Sequence, residues 1–168
     1  MIRIAGWVVY QLEFANRTNT MAEQKSNYLD FPPSLKTAPE NLDVLMELVK
    51  REPIFHRPEF GRTRRDFENM TVEGYWEVGA SGRRYNREYV LDELLRRYQD
   101  PQYQGIHSSP ENTWQTKDFN CIEIASDNYL LTYTLAQGAR ITRRSTIWRR
   151  CGSDWKIVYH QGTIVEDA

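Results

Sequence analysis

Midway along the chain the hydrophobic rhythm changes from helical to extended, and this change restricts the possible folds more than any other feature. Four extended segments, residues 117–125, 129–136, 140–150 and 155–165, are separated only by Ser126-Asp127-Asn128, Gln137-Gly138 and Gly152-Ser153-Asp154. Strands this close, joined by turn residues, form an antiparallel meander. A meander preceded by helices is the α+β pattern.

The helices are read from caps and periodicity. Thr37 with Glu40 predicts a capping box, with Pro39 in the first turn. Leu42, Leu45, Met46 and Val49 then recur at helical spacing as an expected buried face, and Pro53 ends the helix. Thr63 with Asp66 signals a second cap before Phe67 and Met70. A strand over residues 72–78 ends in Gly79-Ala80-Ser81-Gly82. Asn86 caps a third helix whose stripe is Val90, Leu91, Leu94, Leu95 and Tyr98. Residues 102–113 read as a polar loop, and residues 1–36 as a tail or linker before a domain over 37–168. Either Met1 or Met21 serves as the start.

Composition excludes several classes. The 168 residues carry 22 Lys+Arg against 23 Asp+Glu, a balance that argues against a general nucleic-acid or membrane-surface binder. The early apolar run, residues 4–10, is far shorter than a membrane span. Cys121 and Cys151 have no C-x-x-C spacing, and His56, His107 and His160 are scattered, so no metal site is expected. The two cysteines read as reduced, buried thiols of a cytoplasmic protein. The segment from Arg140 to Arg150 holds five arginines, but alternation sends Arg143 and Arg149 one way and Arg140, Arg144 and Arg150 the other, so no basic face forms. Neither face of the last strands is cleanly polar, which predicts a sheet covered on both sides, by helices on one and by a second copy of the chain on the other.

Three segments carry a resemblance: Tyr75-Trp76-Glu77-Val78-Gly79-Ala80-Ser81-Gly82, Ser145-Thr146-Ile147-Trp148, and Trp155-Lys156-Ile157-Val158-Tyr159-His160-Gln161-Gly162-Thr163. Their order along residues 40–166 resembles the nuclear transport factor 2-like superfamily, in particular a bacterial SnoaL-like branch of unknown function. The resemblance implies a cone, with N-terminal helices packed on a curved antiparallel sheet and a pocket at the open end. Members include ketosteroid isomerases, polyketide cyclases and dehydratases, and also domains that only bind or dimerise, so the fold alone names no reaction. The isomerases' aspartate base and tyrosine–aspartate oxyanion pair have no full counterpart here, and no catalytic role carries over.

The candidate residues therefore come from their chemistry. Glu77 shares a strand face with Glu73 and Tyr75; desolvated there, its carboxyl would suit proton transfer near neutral pH, whereas pairing with Arg84 or Arg143 would make it structural. His160 is the second proton-transfer candidate, with a hydrogen bond to backbone or to Glu123 as its structural alternative. His56 and Arg57, in a proline-rich connector, either close the mouth and bind an anionic group or sit beside Phe55 and Phe60 plugging the core. Tyr75, Tyr85 and Tyr133 are expected to line a pocket, and Glu123 and Arg143 complete the ligand-binding set. The sequence thus predicts a homodimeric domain binding a small organic molecule, as a cofactor-free isomerase, cyclase, dehydratase or hydrolase. A non-catalytic interaction or dimerisation domain is the alternative.

Overall fold

A 3-10 turn, Pro39–Asn41, leads directly into helix α1, Leu42–Val49. This entry differs from the expected capping box. The Thr37 hydroxyl leaves the helix and accepts the Cys121 N–H at 2.9 Å, tying the start of the fold to a distant strand. Val44 and Leu48 are buried, while Leu42 and Met46 stand exposed at 47% and 58%. Of the expected stripe, Leu45 packs at the core margin and Val49 is half-buried, while Leu42 and Met46 are corrected to exposed positions and Val44 and Leu48 to buried ones. The computed structural model describes residues 36–100 and 114–165, so the expected tail (but for Lys36) and the loop over 102–113 lie outside the described residues.

Helix α2, Arg64–Met70, begins with the predicted capping box: Thr63 Oγ1 accepts the Asp66 N–H at 3.2 Å, and Asp66 Oδ2 accepts the Thr63 N–H at 2.9 Å. Gly61 makes room for it. Its φ is +139°, and a Cβ there would lie 2.2 Å from Asp66 Cβ. Strand β1, Thr71–Val78, follows without a break and pairs with the short β2, Arg84–Asn86. Asn86 caps α3, Arg87–Gln99, by accepting the Tyr89 N–H at 2.9 Å. Val90, Leu91 and Leu94 are buried, with Leu95 and Tyr98 packed at the core margin, as the stripe predicts. Arg87 pins this helix by donating to Thr71 Oγ1 and to the Glu68 carbonyl, each at 3.0 Å.

Strands β3 (Trp114–Ala125), β4 (Asn128–Gln137), β5 (Arg140–Cys151) and β6 (Asp154–Ile164) form the expected meander. Its turns place Asp127, Gly138 and Gly152 at φ of 59°, 57° and 65°, the left-handed region that these residue types tolerate. The six strands are ordered β2-β1-β6-β5-β4-β3. The sheet is mixed: β1 runs parallel to β6, and the other pairs are antiparallel. The helices pack on one face around Leu48, Phe67, Leu91, Leu131 and Ile157. Phe55 inserts there as a plug, edge-on to Phe67 and Tyr75 at 6.0 Å each. Of the two free thiols, Cys121 is buried and Cys151 is exposed, against the expectation that both are buried. Among the described residues no helix is long and apolar enough to cross a membrane.

Cross-strand partners share a face, so register sorts the side chains into rows. On the helix-covered face one row runs Leu131, Thr146, His160, Glu77, Tyr85. On the opposite face the neighbouring row runs Ile122, Leu130, Ile147, Tyr159, Trp76. The first row makes a polar site, and the second is apolar from Ile122 to Trp76, beyond which it meets Asn86 on β2.

Candidate functional site

The polar row opens on a cleft of about 290 Å³ between the sheet, the start of the connector after α1, and α3. Glu77, Arg144, His160 and Gly162 form its floor, Tyr85, Val90 and Leu94 one wall, and His56 and Arg97 part of its rim. Gly162 lies opposite Arg144 in register, and its missing side chain keeps the floor open.

Glu77 accepts a hydrogen bond from the Tyr75 hydroxyl at 2.6 Å. Burial pushes its carboxyl above the usual carboxylate range, and that donor with the Arg144 and Arg97 charges offsets only part of the shift. The Tyr75 phenol is raised well above its ordinary value, first by burial and then by the Glu77 charge. Glu93, the other carboxylate of the cleft, goes the opposite way: beside the Arg96 and Arg97 guanidiniums it is held down at about 2. Two acids of one cleft are thus pushed apart, Glu77 up and Glu93 down.

His160 is 5% exposed. Burial, then the charge of Arg144 and the neighbouring His56, push its pKa well below the ordinary histidine value, so the ring is neutral. Its Nδ1 lies 3.0 Å from Thr146 Oγ1 and its Nε2 lies 3.4 Å from Arg144 Nη1.

Behind the floor stands Glu52, completely buried. Its Oε2 accepts the Ile54 N–H at 2.8 Å and the Tyr133 hydroxyl at 2.9 Å, and its Oε1 accepts Trp148 Nε1–H at 3.2 Å. Burial raises this carboxyl, and the hydrogen bonds from Thr146, Tyr133, Trp148 and Ile54 oppose the rise. Tyr133 is pushed up by burial and by the Glu52 charge, and so remains a hydroxyl donor.

Of the residues singled out from sequence, Glu77, His160, His56 and Tyr85 line the cleft. Tyr75 and Tyr133 lie behind it as donors to Glu77 and Glu52. Arg57 turns toward the backbone, its Nε donating to the Glu52 carbonyl at 2.8 Å. Glu123 is exposed on β3, and the alternative that it bonds His160 gives way to Thr146. Arg143 is exposed outside the cleft, 3.6 Å from Asp118, while its neighbour Arg144 faces the site. Glu52, Arg144 and Thr146 were not among the candidates. Arg144 and Thr146 were readable from their shared alternation with Trp148, an aromatic that belongs on the core side. Among the described residues no cluster of His, Cys, Asp and Glu is suited to hold a metal ion.

No protein-family model matches the sequence, and no curated protein matches it. Solved structures do. A cystatin-like fold protein from Burkholderia xenovorans is 13% identical, covering 77% of this chain and 95% of its own, with a TM-score of 0.54. A protein of the DUF3225 family from Pectobacterium atrosepticum is 15% identical over 77% and 99%, with a TM-score of 0.52. A nuclear transport factor 2-like protein from Cytophaga hutchinsonii is 13% identical over 73% and 97%, with a TM-score of 0.49. At such identities the likeness speaks for the fold alone: the chain has a cystatin-like fold.

Proposed function

We propose that the cleft binds a small organic molecule and moves a proton on it without a cofactor, as an isomerase, cyclase, dehydratase or hydrolase would. The observation that carries this reading is the juxtaposition of Glu77 and His160 as cross-strand partners on the cleft floor. One is a carboxyl biased toward its protonated form and the other a neutral imidazole. In this reading Glu77 and His160 exchange the proton, Tyr75 orients Glu77, Tyr85 polarises a ligand oxygen, and His56 with Arg97 guards the mouth. Equilibrium dialysis against a small-molecule extract, followed by mass spectrometry of what is retained, tests it. Wild type is expected to retain a compound that folded Glu77→Gln and His160→Ala proteins release or fail to convert. Equal retention and equal conversion by all three would remove the site.

Homodimerisation belongs to the same reading, and the apolar row on the sheet face opposite the helices supports it. Trp76 and Ile122, at its two ends, are 44% and 42% exposed, and Trp76 packs on Tyr159 with ring centroids 4.5 Å apart. An apolar stripe of this kind fits a self-complementary contact between two copies. Light scattering should give twice the chain mass, and Ile147→Lys, at the centre of the row, should give a monomer. A monomeric wild type would overturn the dimer and leave the cleft reading standing. The free thiols Cys121 and Cys151 favour a reducing compartment, the cytoplasm.

A further inference from the structure

The cleft's histidine is connected to a carboxylate that never reaches the cleft. Tyr133 on β4 and Trp148 on β5 both donate to Glu52, which holds its carboxylate over the part of β5 that lies between them. Thr146 occupies that part, two residues from Trp148 and two from Arg144, the register partner of Tyr133. Thr146 and Glu52 are both fully buried, and Thr146 is one of the hydrogen-bonding neighbours that hold the Glu52 carboxyl down. On its other side Thr146 Oγ1 meets His160 Nδ1 at 3.0 Å.

Donor and acceptor rules give these contacts a direction. A guanidinium only donates, so His160 Nε2, facing Arg144 Nη1, must accept. A neutral ring that accepts at Nε2 carries its proton on Nδ1, and this N–H donates to Thr146 Oγ1. Donors from Ile54, Tyr133 and Trp148 converge on both oxygens of Glu52, so its carboxyl group serves as an acceptor. In that role it draws the Thr146 hydroxyl proton toward itself and leaves the Thr146 lone pairs for the imidazole. The opposite tautomer would set an Nε2–H against the Arg144 N–H, donor against donor.

We propose that Glu52 is a positioning residue for His160: acting through the Thr146 hydroxyl, it holds the imidazole in the Nδ1–H tautomer and keeps the Nε2 lone pair beside Arg144 in the cleft floor. Among the described residues the charged and titratable groups around the ring, Arg144, His56 and Glu77, lie on the cleft side, while Glu52 acts from behind it. The inference holds whether or not the cleft has a substrate.

The test is the tautomer itself, read from the ¹⁵N shifts of the ring nitrogens in long-range ¹H–¹⁵N correlation spectra of the full chain. His56→Gln and His107→Gln variants assign the signals. Wild-type His160 is expected to show a protonated Nδ1 and an unprotonated Nε2 at neutral pH. Thr146→Val keeps the shape but removes the hydroxyl, and should shift the tautomer ratio toward Nε2–H by about fivefold or more, the weight of one hydrogen bond. Thr146→Ser should restore the wild-type ratio, and folded Glu52→Gln should shift it as Thr146→Val does. A wild-type ring protonated at Nε2, or an unchanged ratio in Thr146→Val, overturns the relay. An unchanged ratio in folded Glu52→Gln overturns the part given to Glu52; should that variant not fold, the Thr146 pair decides.

Discussion

Replacing Tyr133 with phenylalanine would remove a single hydroxyl from a fully buried carboxylate and leave the ring where it is. The ring has its own support, stacked on Phe119 with centroids 4.9 Å apart and planes 19° from parallel. Packing is therefore conserved, and the change falls on the hydroxyl's hydrogen bond with Arg144 and on its 2.9 Å bond to Glu52 Oε2. That oxygen keeps the Ile54 N–H, and the other keeps Trp148. A hydrogen bond to a charged group contributes about 1.5–3 kcal/mol, so Tyr133→Phe should lower unfolding stability by that amount in urea titrations, with the denaturant slope unchanged. Glu52→Gln should also destabilise, because the amide brings two N–H groups to a place where donors already converge. The two changes remove one interaction, and a double-mutant cycle should show coupling of about 1 kcal/mol or more. A loss below about 0.5 kcal/mol for Tyr133→Phe, within the range of substitutions that touch nothing important, would refute the view that Glu52 depends on convergent donors.

Glu77→Gln gives a pH signature. In the folded chain the Glu77 carboxyl holds its proton more tightly than in the unfolded chain, so the wild type loses stability as pH rises through the interval between those two values. The variant does not titrate there and should gain on the wild type as pH rises above the ordinary carboxylate value of 4.5, until the folded-state carboxyl has ionised and the difference levels off; a gain toward acid would contradict the raised carboxyl. Thr63→Ala removes one half of the α2 capping box and should cost about 0.5–2 kcal/mol in thermal or urea unfolding. Leu91→Ala, at a position with no exposure, should cost about 2–5 kcal/mol by the same assay.

The legible parts of this fold are those governed by local chemistry. The meander could be read because its turns need residues that accept positive φ, and Asp127, Gly138 and Gly152 supply them. Asn86 and Thr63 announced their helices because a cap bonds within three residues. Where a distant partner decides, the sequence is silent. Thr37 looks like a cap but is claimed by Cys121, 84 residues away. No local signal marks β1 as parallel to β6. The site shows the same division: alternation put Tyr75 and Glu77 on one face, and the structure joins them by a hydrogen bond. Glu52 escaped because its burial depends on donors 81 and 96 residues further on. Arg143 and Arg144 are told apart only by the phase of β5, fixed by its neighbours on both sides.

The proposal that the cleft takes a small molecule can be tested by native mass spectrometry of gently purified wild type beside a Gly162→Leu variant. A Cβ at Gly162 meets nothing closer than Ala80 at 3.8 Å, so the backbone accepts the change while the larger side chain fills the cleft floor. The account predicts extra mass on wild type that is lost on denaturation and absent from folded Gly162→Leu. A bare wild type, or the same adduct on both proteins, would contradict it.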